Sequence, residues 1–237
     1  KLNQIDKYLE NFKPNNKKDN LGGLFRIKYK NHFLIMDIDN PPQKKFSKSY
    51  QSGPLSFEYF VDGMKIITNS GFGDRISKKT ELLSRLTACQ STLTINDTSI
   101  TKFEKNEMVN KVFGNSIQDS FKSSMHSSIN ENLLIGCVAS NNGYEKKFGC
   151  THKREIYVNK ENNDLKGTDH IFKAKDGYPI RYAFRFHINP ELSVVKTMSG
   201  NSALIQISKN KSLLFTVNDE NLEIEKSLFL GEKKIIH

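Results

Sequence analysis

The chain has 237 residues, a net charge of +10 and 36% hydrophobic residues, which suffices for one large domain or two small ones with a buried core. Its apolar runs fall short of the roughly 20 residues that cross a bilayer, and it has no collagen period, heptad array or disulfide framework. The positive charge favours a polyanionic partner, which could be nucleic acid, an anionic membrane or an acidic polysaccharide.

Lys greatly outnumbers Arg among the basic residues. Of the 36 basic residues, six are Arg and the others are Lys, whereas Arg is preferred where planar bidentate contact with phosphate, sulfate or carboxylate matters. A solvated Lys-rich surface therefore accounts for the charge as readily as a polyanion-binding surface does, and both interpretations stay open. A nucleic-acid partner is not expected, because charge alone supports it and no Trp or basic helix accompanies it.

The three cysteines, Cys89, Cys137 and Cys150, lack C-x-x-C spacing. We expect them to be small buried hydrophobic side chains rather than metal ligands. A bridge between Cys137 and Cys150 can form only in an oxidising compartment.

The first 23 residues are predicted to form a short helix and a linker. Residues 4–12 place four apolar side chains on one helical face, spaced i, i+3, i+4 and i+7. Residues 11–23 are rich in Asn, Lys and Gly, which is a linker composition. We expect residues 1–23 to be the tail of an upstream helical region and residues 24–237 to form the main domain.

From residue 24 onward the apolar period changes to two, which is typical of strands. Asp62-Gly63 lies between two β-rich runs and predicts a type I′ hairpin turn, because Gly tolerates positive φ. Residues 98–132 are polar, and we expect an excursion with a strand or a helical turn. Strands are predicted at residues 25–30, 32–39, 55–60, 65–71, 91–97, 133–140, 154–158, 169–174, 181–188, 192–198, 202–208, 212–217 and 222–230. Such short, regularly spaced strands predict an all-β antiparallel sandwich or barrel.

Four stretches carry information beyond this pattern. They are GPLSFE with IITNSG (residues 53–58 and 66–71), RLTACQSTL (85–93), HKREIYV leading to DLKGTD (152–158 and 164–169), and FRFHINP (184–190). In this order they resemble the C-terminal β-sandwich domain of the heparinase II/III family, over roughly residues 24–231. The resemblance selects the large antiparallel β-sandwich as the fold class.

The resemblance also implies a function. Family members are polysaccharide lyases of the periplasm or cell envelope that cleave uronic-acid-containing chains by β-elimination. An N-terminal α/α toroid supplies most of the catalytic groups, and the sandwich packs against it. The expected partners are therefore an acidic polysaccharide and the chain's own toroid domain, of which the helix at residues 4–12 would be the last trace.

Some family members hold a structural zinc in the sandwich. By the resemblance, the H-x-H-x-D pattern that carries the family's sandwich histidines falls at Ser49, Gln51 and Gly53. The zinc-associated Asp falls at Asn69, and a further His falls at Gln90. Zinc prefers imidazole, thiolate or carboxylate, and neutral amides are poor ligands. We therefore expect no metal and no other cofactor here, and we expect the amides to hydrogen-bond to each other instead.

The candidate site residues follow from the same comparison. Arg85 matches an Arg of the family motif, and it is a candidate to bind a uronate carboxylate, although a structural ion pair is an equal alternative. Ser49 cannot act as an acid or base near neutral pH. Tyr50 could reach a cleft in its place, or could simply pack between strands. The catalytic candidates are thus Tyr50 and Arg85, and Gln51 and Gln90 join Arg85 as candidates for substrate binding.

Histidines elsewhere are not expected to be catalytic. His152, His170 and His187 lie on predicted strands and lack metal-ligand spacing. We expect each of them to be a hydrogen-bonded structural histidine.

Two functions remain open. The first is a lyase domain that works only together with the toroid and is inactive alone. The alternative is a non-catalytic sandwich that binds an anionic glycan or supports a partner domain, and the replacement of the family's histidines by Ser49, Gln51 and Gln90 favours it.

Overall fold

The computed structural model of the chain describes residues 20–173, 180–218 and 220–231. The helix predicted at residues 4–12 and most of the predicted linker lie outside the described residues. In the described part, strands alternate with three short α-helices and with 3₁₀ turns at Lys44–Phe46 and Thr87–Cys89. The helices are α1 (Lys78–Ser84), α2 (Glu107–Phe113) and α3 (Glu145–Phe148).

Strands are the predominant regular structure of the described chain. In chain order they are β1 (Asn20–Leu21), β2 (Leu24–Tyr29), β3 (His32–Asp37), β4 (Phe57–Val61), β5 (Met64–Thr68), β6 (Leu93–Ile95), β7 (Ser123–Asn130), β8 (Leu134–Tyr144), β9 (Cys150–Asn159), β10 (Asp164–Lys173), β11 (Tyr182–Phe184), β12 (His187–Ile188), β13 (Ser193–Lys196), β14 (Ser202–Ser208) and β15 (Lys211–Thr216).

The strands pair antiparallel in four sheets. A six-stranded sheet has the order β1-β2-β3-β4-β5-β12, and a four-stranded sheet has the order β10-β9-β8-β7. A two-stranded sheet (β11-β6) and a three-stranded sheet (β13-β14-β15) complete the described set. The predicted all-β antiparallel sandwich is confirmed.

The main core lies between the two larger sheets. β3 and β9 alternate strictly between buried and half-buried residues, because successive side chains of a strand point to opposite faces. One hydrophobic cluster contains Leu34 and Phe57 of the six-stranded sheet together with Cys137 and Ile156 of the four-stranded sheet. A second cluster packs around Leu93 and Tyr144, beside the two-stranded sheet.

The local predictions are confirmed in part. Asp62 and Gly63 have φ values of 51° and 79°, as the predicted type I′ turn requires. Residues 98–132 contain α2 and β7, as expected of this excursion. The strand predicted at residues 222–230 is wrong: the segment is irregular, and Leu230 N–H donates to the Ser70 carbonyl at 2.6 Å.

Cys137 and Cys150 are buried, Cys89 is half-buried, and all three thiols are free. Burial raises the pKa of the Cys137 thiol to about 12. No helix in the described ranges is long and apolar enough to span a membrane.

Candidate functional site

The four sequence motifs meet at one buried side chain. Arg154 of β9 is 1% exposed, and its Nη1 donates to the carbonyls of Leu55 and Ser91 at 2.7 and 3.0 Å. Its guanidinium also lies over the ring of Phe186, 5.8 Å from the centroid. Asp169 closes the set: Arg154 Nε and Nη2 donate to its two oxygens at 2.7 and 3.0 Å. The motif residues therefore converge through Arg154, which ties together segments that are distant in sequence.

Asp169 holds this buried charge in place. Burial opposes ionisation of its carboxyl, but the charge of Arg154 and hydrogen bonds from His152 and Arg154 outweigh burial and hold the pKa well below its usual range. His152 Nε2 lies 2.7 Å from Asp169 Oδ1. Its Nδ1 lies 3.5 Å from the Asn141 side-chain amide nitrogen, which makes Nε2 the protonated nitrogen of the neutral ring. Burial lowers the pKa of His152, so this histidine is structural, as the sequence predicted.

The amides at the family's metal positions bond to the main chain. Gln90 is 1% exposed, and its Nε2 donates to the Ser84 carbonyl at 2.8 Å. Asn69 Oδ1 accepts from Ser91 N–H at 2.8 Å. Gln51 is half-buried, and its Nε2 donates to the Gly71 carbonyl at 3.4 Å. The expected bonds between the amides are not seen among the described residues.

This donor set does not fit zinc. The amide groups of Gln90 and Asn69 are already used in fixing the loops, and neutral amides bind zinc poorly. Within residues 20–173, 180–218 and 220–231, no group of three or more His, Cys, Asp or Glu side chains could hold a metal ion. The absence of a cofactor stays a prediction.

Gly53 shows how closely these loops pack. A Cβ at Gly53 would lie 2.6 Å from Gln90 Cγ and 2.7 Å from Gln90 Cβ, so a larger residue here would displace Gln90. Ser49, two residues before Gln51, is exposed. The segment from Ser49 to Gly53 therefore runs from the surface into the packed loops.

The structure places Arg85 inside the protein, where it is 0% exposed. Its Nε and Nη2 donate to the carbonyls of Tyr50 and Ser47 at 2.9 and 2.8 Å, and its guanidinium stacks 4.2 Å from the ring centroid of Phe103. Burial lowers its pKa to about 10, which leaves it charged at pH 7. This geometry supports a role in shaping the segment at residues 47–50; a substrate contact by Arg85 stays a prediction.

Tyr50 is also turned inward. Its hydroxyl is buried without a hydrogen-bond partner among the described residues, and burial raises the pKa of that hydroxyl. Its ring packs against the second hydrophobic cluster. The structure thus supports the packing alternative for Tyr50, while its catalytic role stays an untested prediction.

His187 lies beside the amide-bearing loops. Its Nε2 is 3.0 Å from the Ala88 carbonyl, and its Nδ1 is 2.9 Å from Ser227 Oγ. Burial lowers its pKa. The ring is therefore neutral near pH 7, with Nε2 donating and Nδ1 accepting, which is the structural role expected from the sequence.

Three arginines that reach the surface, exposed Arg75 and Arg181 and half-buried Arg185, differ in their pairing. Arg181 forms an ion pair with Asp97, and Arg185 lies 3.7 Å from Asp97 and 3.3 Å from Glu225. Arg75 follows the loop of Asn69 and Gly71, is exposed, and has no ion pair or hydrogen bond within the described part of the chain. The sequence reasoning passed over Arg75, although its place in a Gly-containing loop beside the amide positions was a visible signal.

A family model described as "Heparinase II/III-like, C-terminal" matches residues 14–235. The chain belongs to the heparinase II/III-like family. This C-terminal heparinase match covers nearly the whole chain and confirms the resemblance found in the four motifs. No curated protein matches the chain.

Solved structures show the same fold for this heparinase-like domain. The heparan sulfate lyase HepC from Pedobacter heparinus is similar with a TM-score of 0.68 and 15% identity, over 90% of this chain and 31% of that chain. A heparinase III gene product gives 0.64 and 13% identity, over 93% and 31%. A further heparinase III structure gives 0.56 and 15% identity, over 81% and 27%. The chain thus spans about a third of the length of these enzymes.

Proposed function

We propose that this heparinase II/III-like domain supports β-elimination on an acidic, uronic-acid-containing polysaccharide together with an N-terminal α/α domain. In such a reaction a base removes the proton next to the uronate carboxylate, and the 4-linked sugar departs with assistance from an acid. The work would take place in the periplasm or cell envelope. The observation that carries the proposal is the family match over residues 14–235.

The geometry of the loops agrees with a supporting role. The side-chain amides of Gln90 and Asn69, and Nε and Nη2 of Arg85, hydrogen-bond to main-chain groups. His187 is hydrogen-bonded at both ring nitrogens. The acid and base of the proposed reaction would then come from the α/α domain, with the sandwich supplying surface and shape.

A second candidate is a glycan-binding module without catalysis. It is favoured by the amides that stand where the family has acid-base or metal-binding side chains, because neither Gln nor Asn transfers protons near neutral pH. Such a module would bind an acidic glycan and leave it intact.

One assay separates the two candidates. The full-length protein is incubated with heparan-type and alginate-type polysaccharides, and the ultraviolet absorbance of the unsaturated uronate product is followed over time. The lyase proposal expects the absorbance to rise on at least one substrate. Binding of a glycan without any rise would overturn the lyase proposal in favour of the binding module.

A further inference from the structure

The loop between β5 and α1 presents an unpaired arginine at the surface. Arg75 is exposed, and no carboxylate lies within ion-pair distance of it among the described residues. Four other described arginines are less available to a ligand. Arg85 and Arg154 are buried, and Arg181 and Arg185 are paired with carboxylates. Among these five arginines, Arg75 is therefore the one whose guanidinium can bind an anionic ligand from solution.

The loop around Arg75 is held firmly at both ends. Gly71 accepts from Gln51 Nε2, and Gly73 N–H donates to Ser84 Oγ at 3.1 Å. Thr80 Oγ1 donates to the Gly73 carbonyl at 2.8 Å. A Cβ at Gly73 would lie 2.6 Å from main-chain atoms of Thr80, so the loop packs directly on α1.

A fixed loop lowers the cost of binding. Immobilising a long side chain and its loop costs free energy on association, and a frame that is already ordered reduces that cost. Ser77 adds to this order, because it and Thr80 form a capping box at the start of α1. Arg75, between Gly73 and Ser77, thus projects from a frame that is hydrogen-bonded on each side.

Arg75 is also close to the amide positions. It lies four positions after Gly71, and four residues of chain span at most about 14 Å. The main chain of Arg75 therefore lies within that distance of the carbonyl that Gln51 binds. Ser84 also accepts from both Gly73 N–H and Gln90 Nε2, which places the loop of Arg75 beside Gln90.

We propose that Arg75 binds a carboxylate or sulfate group of an acidic polysaccharide, an assignment that rests on the proposed function. A guanidinium presents paired N–H donors in a planar fork that matches the oxygens of carboxylate and sulfate. The neighbouring cations Lys78 and Lys79 are exposed, and they add positive potential along the path of the polymer.

A competing surface is less suitable. A surface depression of about 360 Å³ is lined by Glu131, Leu134, Asn159 and Glu161, among others. Its two carboxylates would repel a polyanion. Charge complementarity therefore favours the Arg75 loop for an acidic glycan.

The test measures binding by the full-length protein of a labelled heparan-type oligosaccharide, which carries sulfate, and of an alginate oligosaccharide, which carries carboxylates alone. R75Q removes the charge, and R75K keeps the charge but removes the fork. K209Q removes an exposed charge at the β14–β15 turn, at the opposite end of β5 from Gly71. We expect R75Q to weaken binding roughly tenfold, R75K to weaken it less, and K209Q to leave it unchanged.

Each outcome decides the matter. Equal losses of affinity for R75Q and K209Q, or no loss for R75Q, would overturn the assignment of Arg75. Binding by the wild-type protein would still support glycan recognition in that case. Failure of the wild-type protein to bind or cleave either polymer would overturn the proposed function itself, and this assignment with it. Loss on the heparan-type chain alone identifies sulfate as the bound group, and loss on both identifies carboxylate.

Discussion

Arg154 and Asp169 form a buried ion pair whose two members depend on each other. Desolvation makes a buried charge expensive, and the pair is tolerable because both Asp169 oxygens receive hydrogen bonds and Arg154 Nη1 also finds two carbonyls. Removal of one partner leaves the other charge buried without an ion pair. The half-buried pair of Lys153 and Glu155, whose Nζ and Oε1 atoms lie 2.6 Å apart on the same strand, keeps contact with solvent and carries a smaller penalty.

The first prediction contrasts these two pairs. D169N leaves Arg154 as an unpaired buried cation, and we expect it to lower the free energy of unfolding by about 3–5 kcal/mol. E155Q breaks the half-buried, solvent-contacting pair and should cost about 1 kcal/mol or less. Urea unfolding followed by circular dichroism measures both, and similar losses for the two variants would contradict the central role given to Arg154.

A second prediction concerns Asp37 at the end of β3. Burial, together with the nearby charge of Asp39, raises the pKa of its carboxyl to about 6. A raised folded-state pKa stabilises the protein fully below the ordinary value near 4, and that stability is lost as the pH rises through about 6. D37N removes the ionisation, so it should stabilise the protein by about 3 kcal/mol at pH 8 and have little effect at pH 4.

Thermal and urea unfolding of D37N at both pH values tests this prediction. D74N is the matched control, because Asp74 is exposed and the substitution makes the same change in net charge. A gain for D37N that is equal at pH 4 and pH 8, or a gain shared by D74N, would rule out the burial of Asp37 as its cause.

At the scale of elements, the pairing of β8 with β9 leaves no room for a side chain at Gly136. A Cβ at Gly136 would lie 2.1 Å from the Ile156 carbonyl oxygen and 2.5 Å from Tyr157 Cβ. Gly167 of β10 pairs with Ile156 from the other side, but a Cβ there would meet nothing closer than 3.6 Å. The two glycines that pair with neighbouring residues of β9 from opposite sides thus have opposite steric surroundings.

The third prediction uses this contrast. We expect G136A to lower the free energy of unfolding by more than about 2 kcal/mol, because the main chain must shift. G167A should be neutral or slightly stabilising, since Ala reduces the freedom of the unfolded chain. Equal effects of the two variants on the urea midpoint would show that the strands are not packed as described.

The sequence indicated most strands and missed elements that depend on distant partners. Alternation of apolar residues found β2, β3 and the β4–β5 hairpin, because burial on one face of a sheet imposes that period. The same alternation at residues 222–230 gave a wrong prediction, because the main chain there is irregular and Leu230 N–H donates to the Ser70 carbonyl just beyond β5. Helix α1 was not predicted, because its seven residues are too few for a clear helical period. Its capping box joins Ser77 to Thr80, and these hydrogen bonds are seen only in the folded chain.

The candidate site was less predictable than the fold. The sequence located the loops of Gln51, Asn69 and Gln90, but it could not tell whether Arg85 points outward or inward. That choice depends on the carbonyls of Ser47 and Tyr50, which are remote in sequence and accept from Arg85 only after folding. Side-chain direction in loops is thus decided by tertiary contacts that periodicity does not record.

At the scale of the whole molecule, the net charge of +10 bears on ligand binding. The described carboxylates neutralise some cations, as in the pairs of Lys44 with Glu104 and Lys65 with Glu58, and many exposed lysines remain. Long-range attraction of this kind is screened by salt.

The fourth prediction follows from that screening. We expect binding of a heparan-type oligosaccharide to weaken at least tenfold when NaCl rises from about 0.05 M to about 0.5 M, as the Debye length shrinks from over 10 Å to a few Å. A neutral dextran should not bind at either concentration. Affinity for the heparan-type chain that is independent of salt would contradict an electrostatic contribution to binding.

The contact of all four motifs with Arg154 affects what family membership says about function. The stretches that mark this chain as a relative of the heparinases are the ones that touch a single interior guanidinium, so they record the inheritance of a scaffold. Surface loops can exchange one chemistry for another while that signature survives intact. A member of this family can therefore keep the fold without keeping the catalytic activity, and the two need separate evidence.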